Sequence, residues 1–102
     1  MSEAELYFGA VGEVIADAKR GNMFGKPCFK INNKAFVCFF QACMVFKLRD
    51  EAHRDALSLP ESVLFDPSGK NRPMKEWVQV SFQEKDLWER FAEEAVKYVR
   101  EK

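Results

Sequence analysis

Between residues 24 and 48 short β-rich runs alternate with turn-forming residues, and this pattern limits the fold more than any other part of the chain. Its first half, "MFGKPCFKINNKAFVCFF" (23–40), holds five of the ten phenylalanines and no acidic side chain. Runs at 27–31, 35–40 and 44–48, separated by Asn32-Asn33-Lys34 and Gln41-Ala42-Cys43, predict a three-stranded antiparallel meander. Asparagine tolerates positive φ, so a two-residue Asn32-Asn33 turn would pair Ile31 with Lys34 and Phe29 with Phe36. A three-residue loop at 41–43 would then pair Phe40 with Met44 and Cys38 with Phe46. That register gathers Phe29, Phe36, Cys38, Phe40, Met44, Phe46 and Leu48 on one face.

Helical spacing flanks the meander. Ser2 and Glu5 fit a capping box, and Leu6, Tyr7, Ala10, Val11, Val14, Ile15 and Ala18 extend a first helix to Lys19-Arg20-Gly21. Asp50 is placed to cap a short helix through Leu57, broken at Leu59-Pro60. Ser62–Phe65 reads as a fourth strand, residues 66–73 as a connection rich in turn formers, and Glu76–Phe82 as a fifth strand with clean alternation. Leu87, Trp88, Phe91, Ala95, Tyr98 and Val99 mark a last amphipathic helix from Glu84 onward. The expected order αβββαββα describes an α+β, two-layer fold with a five-stranded, mainly antiparallel sheet. At 102 residues it forms one domain, 1–102.

Sixteen basic and sixteen acidic side chains cancel, so no global field draws the chain to nucleic acid or anionic lipid. The charges are nonetheless segregated: no acid lies between Asp17 and Asp50, whereas acids crowd the stretch after Glu84. Apolar runs fall short of the ~20 residues that a membrane helix needs. The acidic "MSEAEL" start is unlike a signal peptide. Three cysteines without close pairing suit free thiols in a reducing compartment, and the expected location is cytoplasmic.

In this register Cys28, Lys30, Val37, Phe39, Val45, Lys47, Trp77 and Gln79 share the outer sheet face, apolar at its centre and basic at its margins. Such a face predicts a homodimer or a protein partner centred on Phe39, Val45 and Trp77, with Lys30 and Lys47 on the rim. A nucleic-acid contact through Lys26, Lys30, Lys47 and Arg72, with Phe39 and Trp77 as stacking surfaces, is the alternative. Lys70, Arg72 and Lys75 are candidate anion-binding residues; the same segment also reads as a shaped turn, with Gly69 and Pro73 bending it and Met74 plugging the core edge. No metal or cofactor is expected: the cysteines lack a C-x-x-C pair, and the register sends Cys28 and Cys38 to opposite faces. Gly69-Lys70 lacks the upstream glycine of a phosphate loop, which is Leu64 here, and Asn71 stands where Ser or Thr is required. His53, the one histidine, is expected on a polar helix in solvent. No set of acid, base and nucleophile emerges, so a small-ligand receptor or enzyme is the least supported class and a non-enzymatic domain is expected.

Met23-Phe24-Gly25 before a strand, Lys34-Ala35-Phe36 after a turn, Val45-Phe46-Lys47-Leu48, and then Gly69, Lys70, Arg72, Pro73 and Met74 ahead of a strand together resemble the N-terminal domain of the TfoX/Sxy competence regulators. The resemblance runs from about residue 4 to 100 and includes the order of elements. It implies a two-layer fold akin to secretion-chaperone-like and YjbR-like domains, and a regulatory or adaptor role by protein contact. Lys26-Pro27 stands where the family often has a second glycine. Within these 102 residues there is no counterpart of the second domain of the fuller regulators, so the resemblance extends to the domain and not to a role in competence.

Overall fold

The computed structural model describes residues 2–67, 69–70 and 72–101. Helix α1 (Glu3–Glu13) leads into strands β1 (Lys19–Met23), β2 (Lys26–Ile31), β3 (Lys34–Phe40) and β4 (Cys43–Lys47), followed by α2 (Asp50–Leu57), β5 (Val63–Phe65), β6 (Met74–Ser81), a 3-10 turn (Phe82–Leu87) and α3 (Trp88–Arg100). The fold is α+β, with one antiparallel sheet of six strands in the order β1-β2-β3-β4-β6-β5.

The strand absent from the sequence expectation is β1. Its residues, Lys-Arg-Gly-Asn-Met, include no β-branched or aromatic side chain; the strand forms because a tight hairpin lays it against β2. Phe24 and Gly25 make that hairpin with φ of 54° and 74°. Phe24 therefore stands at an exposed tip. Helix α1 stops at Glu13, five residues before the point that its apolar spacing suggests, because the chain must reverse through Asp17 (φ 68°) to enter β1. At the other end of α1, Ser2 Oγ accepts from the Glu5 backbone N–H at 3.1 Å, as a capping residue should. Asp50 is the first residue of α2, with Arg49 at the cap position, and no side chain caps that helix.

The register differs from the expected one in two places. Phe29 pairs with Val37 and Lys30 with Ala35, so Phe36 is an extra residue in a β-bulge. Gln41 and Ala42 (φ 49° and 63°) close a two-residue turn that pairs Phe40 with Cys43 and Phe39 with Met44. Both shifts invert parity. Val37 and Phe39 turn to the helix side, while Cys38 and Phe40 join the opposite face.

The larger core lies between the sheet and the helices. Phe8 packs on Phe29 and Phe39 with ring centroids 5.2 and 5.5 Å apart, and Phe46 meets Phe91 at 5.8 Å. From α3, Trp88, Phe91, Ala92, Ala95, Tyr98 and Val99 supply one buried stripe. The Trp88 indole N–H donates to the Ser81 carbonyl at 3.2 Å, so burial leaves no unpaired donor there. A second, smaller core covers the opposite face of the sheet: Cys28, Cys38, Val45, Phe65 and Trp77, flanked by Met23, Ala35, Phe40 and Met74.

Candidate functional site

That second core corrects the exposed apolar patch expected on the outer sheet face. Val37 is fully buried, and Phe39 is half-buried among the helix-side residues. Val45 and Trp77 do lie on the outer face, opposite Gln79 and Lys47, but Trp77 is only 6% exposed and Val45 not at all. The cover comes from the sheet's own edges: Phe65 of β5 reaches over the face and packs edge-on against Phe40 at 5.2 Å, with Met23 and Met74 closing the sides. Lys26 Nζ stands 5.0 Å over the Phe40 ring, and Lys47 Nζ reaches to 5.7 Å from the Tyr98 ring. Lys30 alone of the two expected rim lysines projects over the sheet face, beside β1. With Phe39 turned inward and Trp77 covered, neither ring is presented for base stacking.

The turn-rich connection before β6 is organised by an acid. Asp66 Oδ1 accepts from the Gly69 N–H at 3.1 Å and Asp66 Oδ2 from the Arg72 N–H at 3.0 Å. The backbone donors that would cradle an anion beside Lys70, Arg72 and Lys75 thus hold the chain's own carboxylate, in an Asx-type turn. Ser68 and Asn71 of this connection lie outside the described residues. His53 Nε2 donates to the Lys75 carbonyl at 2.8 Å, which ties α2 to the start of β6.

The three thiols share one face, since Cys28 and Cys38 are directly opposed across β2 and β3; the bulge at Phe36 overturns the expectation of opposite faces. Burial pushes the Cys38 thiol up from 9.0 to about 12, with Cys28 adding to the shift and Lys26 opposing it. Burial raises Cys28 and Cys43 as well. Among the described residues no group of three or more His, Cys, Asp or Glu side chains could hold a metal ion.

Apart from Phe24 at its hairpin tip, Val63 on β5 and Leu57 on α2, the exposed large apolar side chains lie on and just after α1. Leu6, Ala10 and Val14 follow one another at four-residue spacing on the outer side of α1, with Leu6 59% and Val14 73% exposed. Val14, Ile15 and Ala16 continue into a groove against α3 whose other wall is Val96 with Glu89, Glu93, Lys97 and Arg100. These five α3 residues recur at three- and four-residue spacing and so form one stripe, acidic in its first half and basic in its second. Their present partners are weak: Lys97 meets Glu94 at 3.3 Å and Arg100 meets Asp17 at 3.5 Å, both pairs in solvent. The sequence carried a sign of this surface in the doubled apolar positions of α1 (Leu6/Tyr7, Ala10/Val11, Val14/Ile15), a stripe wider than one buried face requires.

Comparison of the chain with models of known families, with curated proteins and with solved structures returns no match.

Proposed function

We propose that the chain is a non-enzymatic regulatory or adaptor domain of the TfoX/Sxy N-terminal kind, cytoplasmic, acting by protein contact and pairing with a second copy of itself through α1 and α3. The observation that carries this reading is the groove between these helices: its apolar floor runs into Val14, 73% exposed, and its α3 wall changes sign halfway. A two-fold axis sets two such walls antiparallel. Glu93 of one copy then faces the partner's Lys97, and Glu89 the partner's Arg100, while Val96 and Val14 meet near the axis. A self-complementary patch of this kind is what an isologous dimer requires. The half-neutralised, half-apolar surface also suits a protein better than a polyanion, for which Glu89 and Glu93 are repulsive.

Sedimentation equilibrium tests it. The parent chain is expected to dimerise, and Val14→Glu to be monomeric with unchanged far-ultraviolet circular dichroism, because Val14 adds little to the fold. A parent that stays monomeric up to its solubility limit overturns the pairing. Oligonucleotide binding that weakens steeply with salt would replace the reading by the nucleic-acid alternative.

A further inference from the structure

At the sheet edge beside the end of α3, β1 and β2 place Lys19 and Lys30 directly opposite each other. Like charges in this position repel across an antiparallel pair. Among the described residues neither lysine side chain makes a hydrogen bond or an ion pair. The other charges around them are already matched, since Arg20 is held by Glu13 at 2.8 Å and lies 5.0 Å over the Phe29 ring, and Asp17 pairs with Arg100. The two lysines line a cleft of about 530 Å3 together with Asp17, Arg20, Gly21, Asn32 and Asn33. Two positive charges therefore face a polar cleft whose one carboxylate, Asp17, is engaged by Arg100.

Gly21 is part of the arrangement. A methyl group there would stand 3.1 Å from Lys30 Cε, 3.4 Å from Cδ and 3.6 Å from Nζ, so the bare glycine gives the lysine its path across β1. We propose that this cleft binds a compact dianion, the phosphate group of a small phosphorylated ligand, between the Lys19 and Lys30 amines. Two ammonium groups on facing strands match the charge of one phosphate and supply several charge-assisted hydrogen bonds. The turn amides of Asn32 and Asn33 offer donors and acceptors to the remainder of the ligand. The Asp17 carboxylate on the rim disfavours a continuous polyanion such as a nucleic-acid strand. Asp17 of this cleft pairs with Arg100 of the helix groove, so the two sites are neighbours, but neither lysine belongs to the groove.

The test is titration of the full chain with inorganic phosphate and with adenosine monophosphate at constant ionic strength, read by phosphorus NMR line broadening and by the thermal midpoint, with chloride as reference. Both probes are expected to bind saturably and raise the midpoint above its chloride value. Tighter binding of the monophosphate identifies the ester as the ligand, and equal binding identifies free phosphate. Lys19→Gln and Lys30→Gln are each expected to weaken binding about tenfold, the loss of one hydrogen-bonded charge. These variants should fold at least as well as the parent, because they remove the repulsion. Gly21→Ala keeps every charge but displaces Lys30, and is expected to weaken binding too, whereas Lys75→Gln leaves it unchanged. The assignment is overturned by a midpoint shift no larger than that of chloride, or by Lys30→Gln or Gly21→Ala chains that bind phosphate as the parent does.

Discussion

At the residue scale the cysteines are the sharpest case of burial deciding chemistry. Cys28 and Cys38 are 1% and 0% exposed, whereas Cys43 is half-buried beside Gln79, whose amide donates to its sulfur at 3.6 Å. A thiol reagent should therefore label Cys43 first in the native protein, and Cys28 and Cys38 only after unfolding; equal rates for all three would contradict the second core. The Cys38 shift also links stability to pH. A thiol raised from 9.0 to about 12 keeps its proton in the folded chain where the unfolded chain has lost it. Its stabilising contribution is complete below 9 and declines as the pH rises from 9 toward 12, at no more than about 1.4 kcal/mol per pH unit. Denaturant unfolding across that alkaline range should show a shallower decline for Cys38→Ala than for the parent. Coincident slopes would assign the decline to other groups.

At the scale of elements, Gly12 governs how α1 meets the sheet. A methyl group there would overlap the Phe29 ring, which is fixed between Phe8 and the sheet, so helix and ring have no room to part. Gly12→Ala should lower the unfolding free energy by roughly 1–2 kcal/mol despite the better helix propensity of alanine, since overpacking outweighs it. One turn earlier, Gly9→Ala would meet only the mobile end of Arg20 and should be neutral or stabilising. Urea denaturation of the two variants decides; equal stability would refute the close contact. Elements with a strong local pattern were legible in the sequence: α2 ends at Leu57 as its turn signals imply, although Asp50 opens that helix instead of capping it, and the buried stripe of α3 follows its apolar spacing. What escaped was set by tertiary context. Gln41-Ala42 bears none of the Asn or Gly that advertises a two-residue turn, the bulge at Phe36 has no local mark, and β1 is a strand only because β2 lies beside it. Because side-chain parity alternates, those two register shifts moved Val37 and Phe39 off the expected interface and brought Cys28 and Cys38 together. Of the proposed surfaces, the basic run from Lys19 to Lys34 was visible, but the opposition of Lys19 and Lys30 needed β1.

For the molecule as a whole, zero net charge conceals an arrangement by region, with unopposed lysines at the β1 side of the sheet and a sign change along α3. The ion pairs are solvent-exposed, and stability rests on the two apolar cores, so surface charges are available for rearrangement at little cost to folding. This makes the antiparallel α3 pairing open to a charge-exchange experiment. Glu93→Lys sets lysine against the partner's Lys97 at both symmetry-related contacts, and Lys97→Glu sets glutamate against the partner's Glu93; each substitution should weaken self-association about tenfold or more. Within one chain the new like-charge neighbours cost only ~0.2–0.5 kcal/mol per pair, so both variants should remain folded. Mixed in equal amounts, however, the Glu93→Lys and Lys97→Glu chains make two favourable contacts across the same axis, and analytical ultracentrifugation should find a heterodimer where each chain alone is monomeric. Single variants that associate as strongly as the parent would overturn the antiparallel α3 pairing.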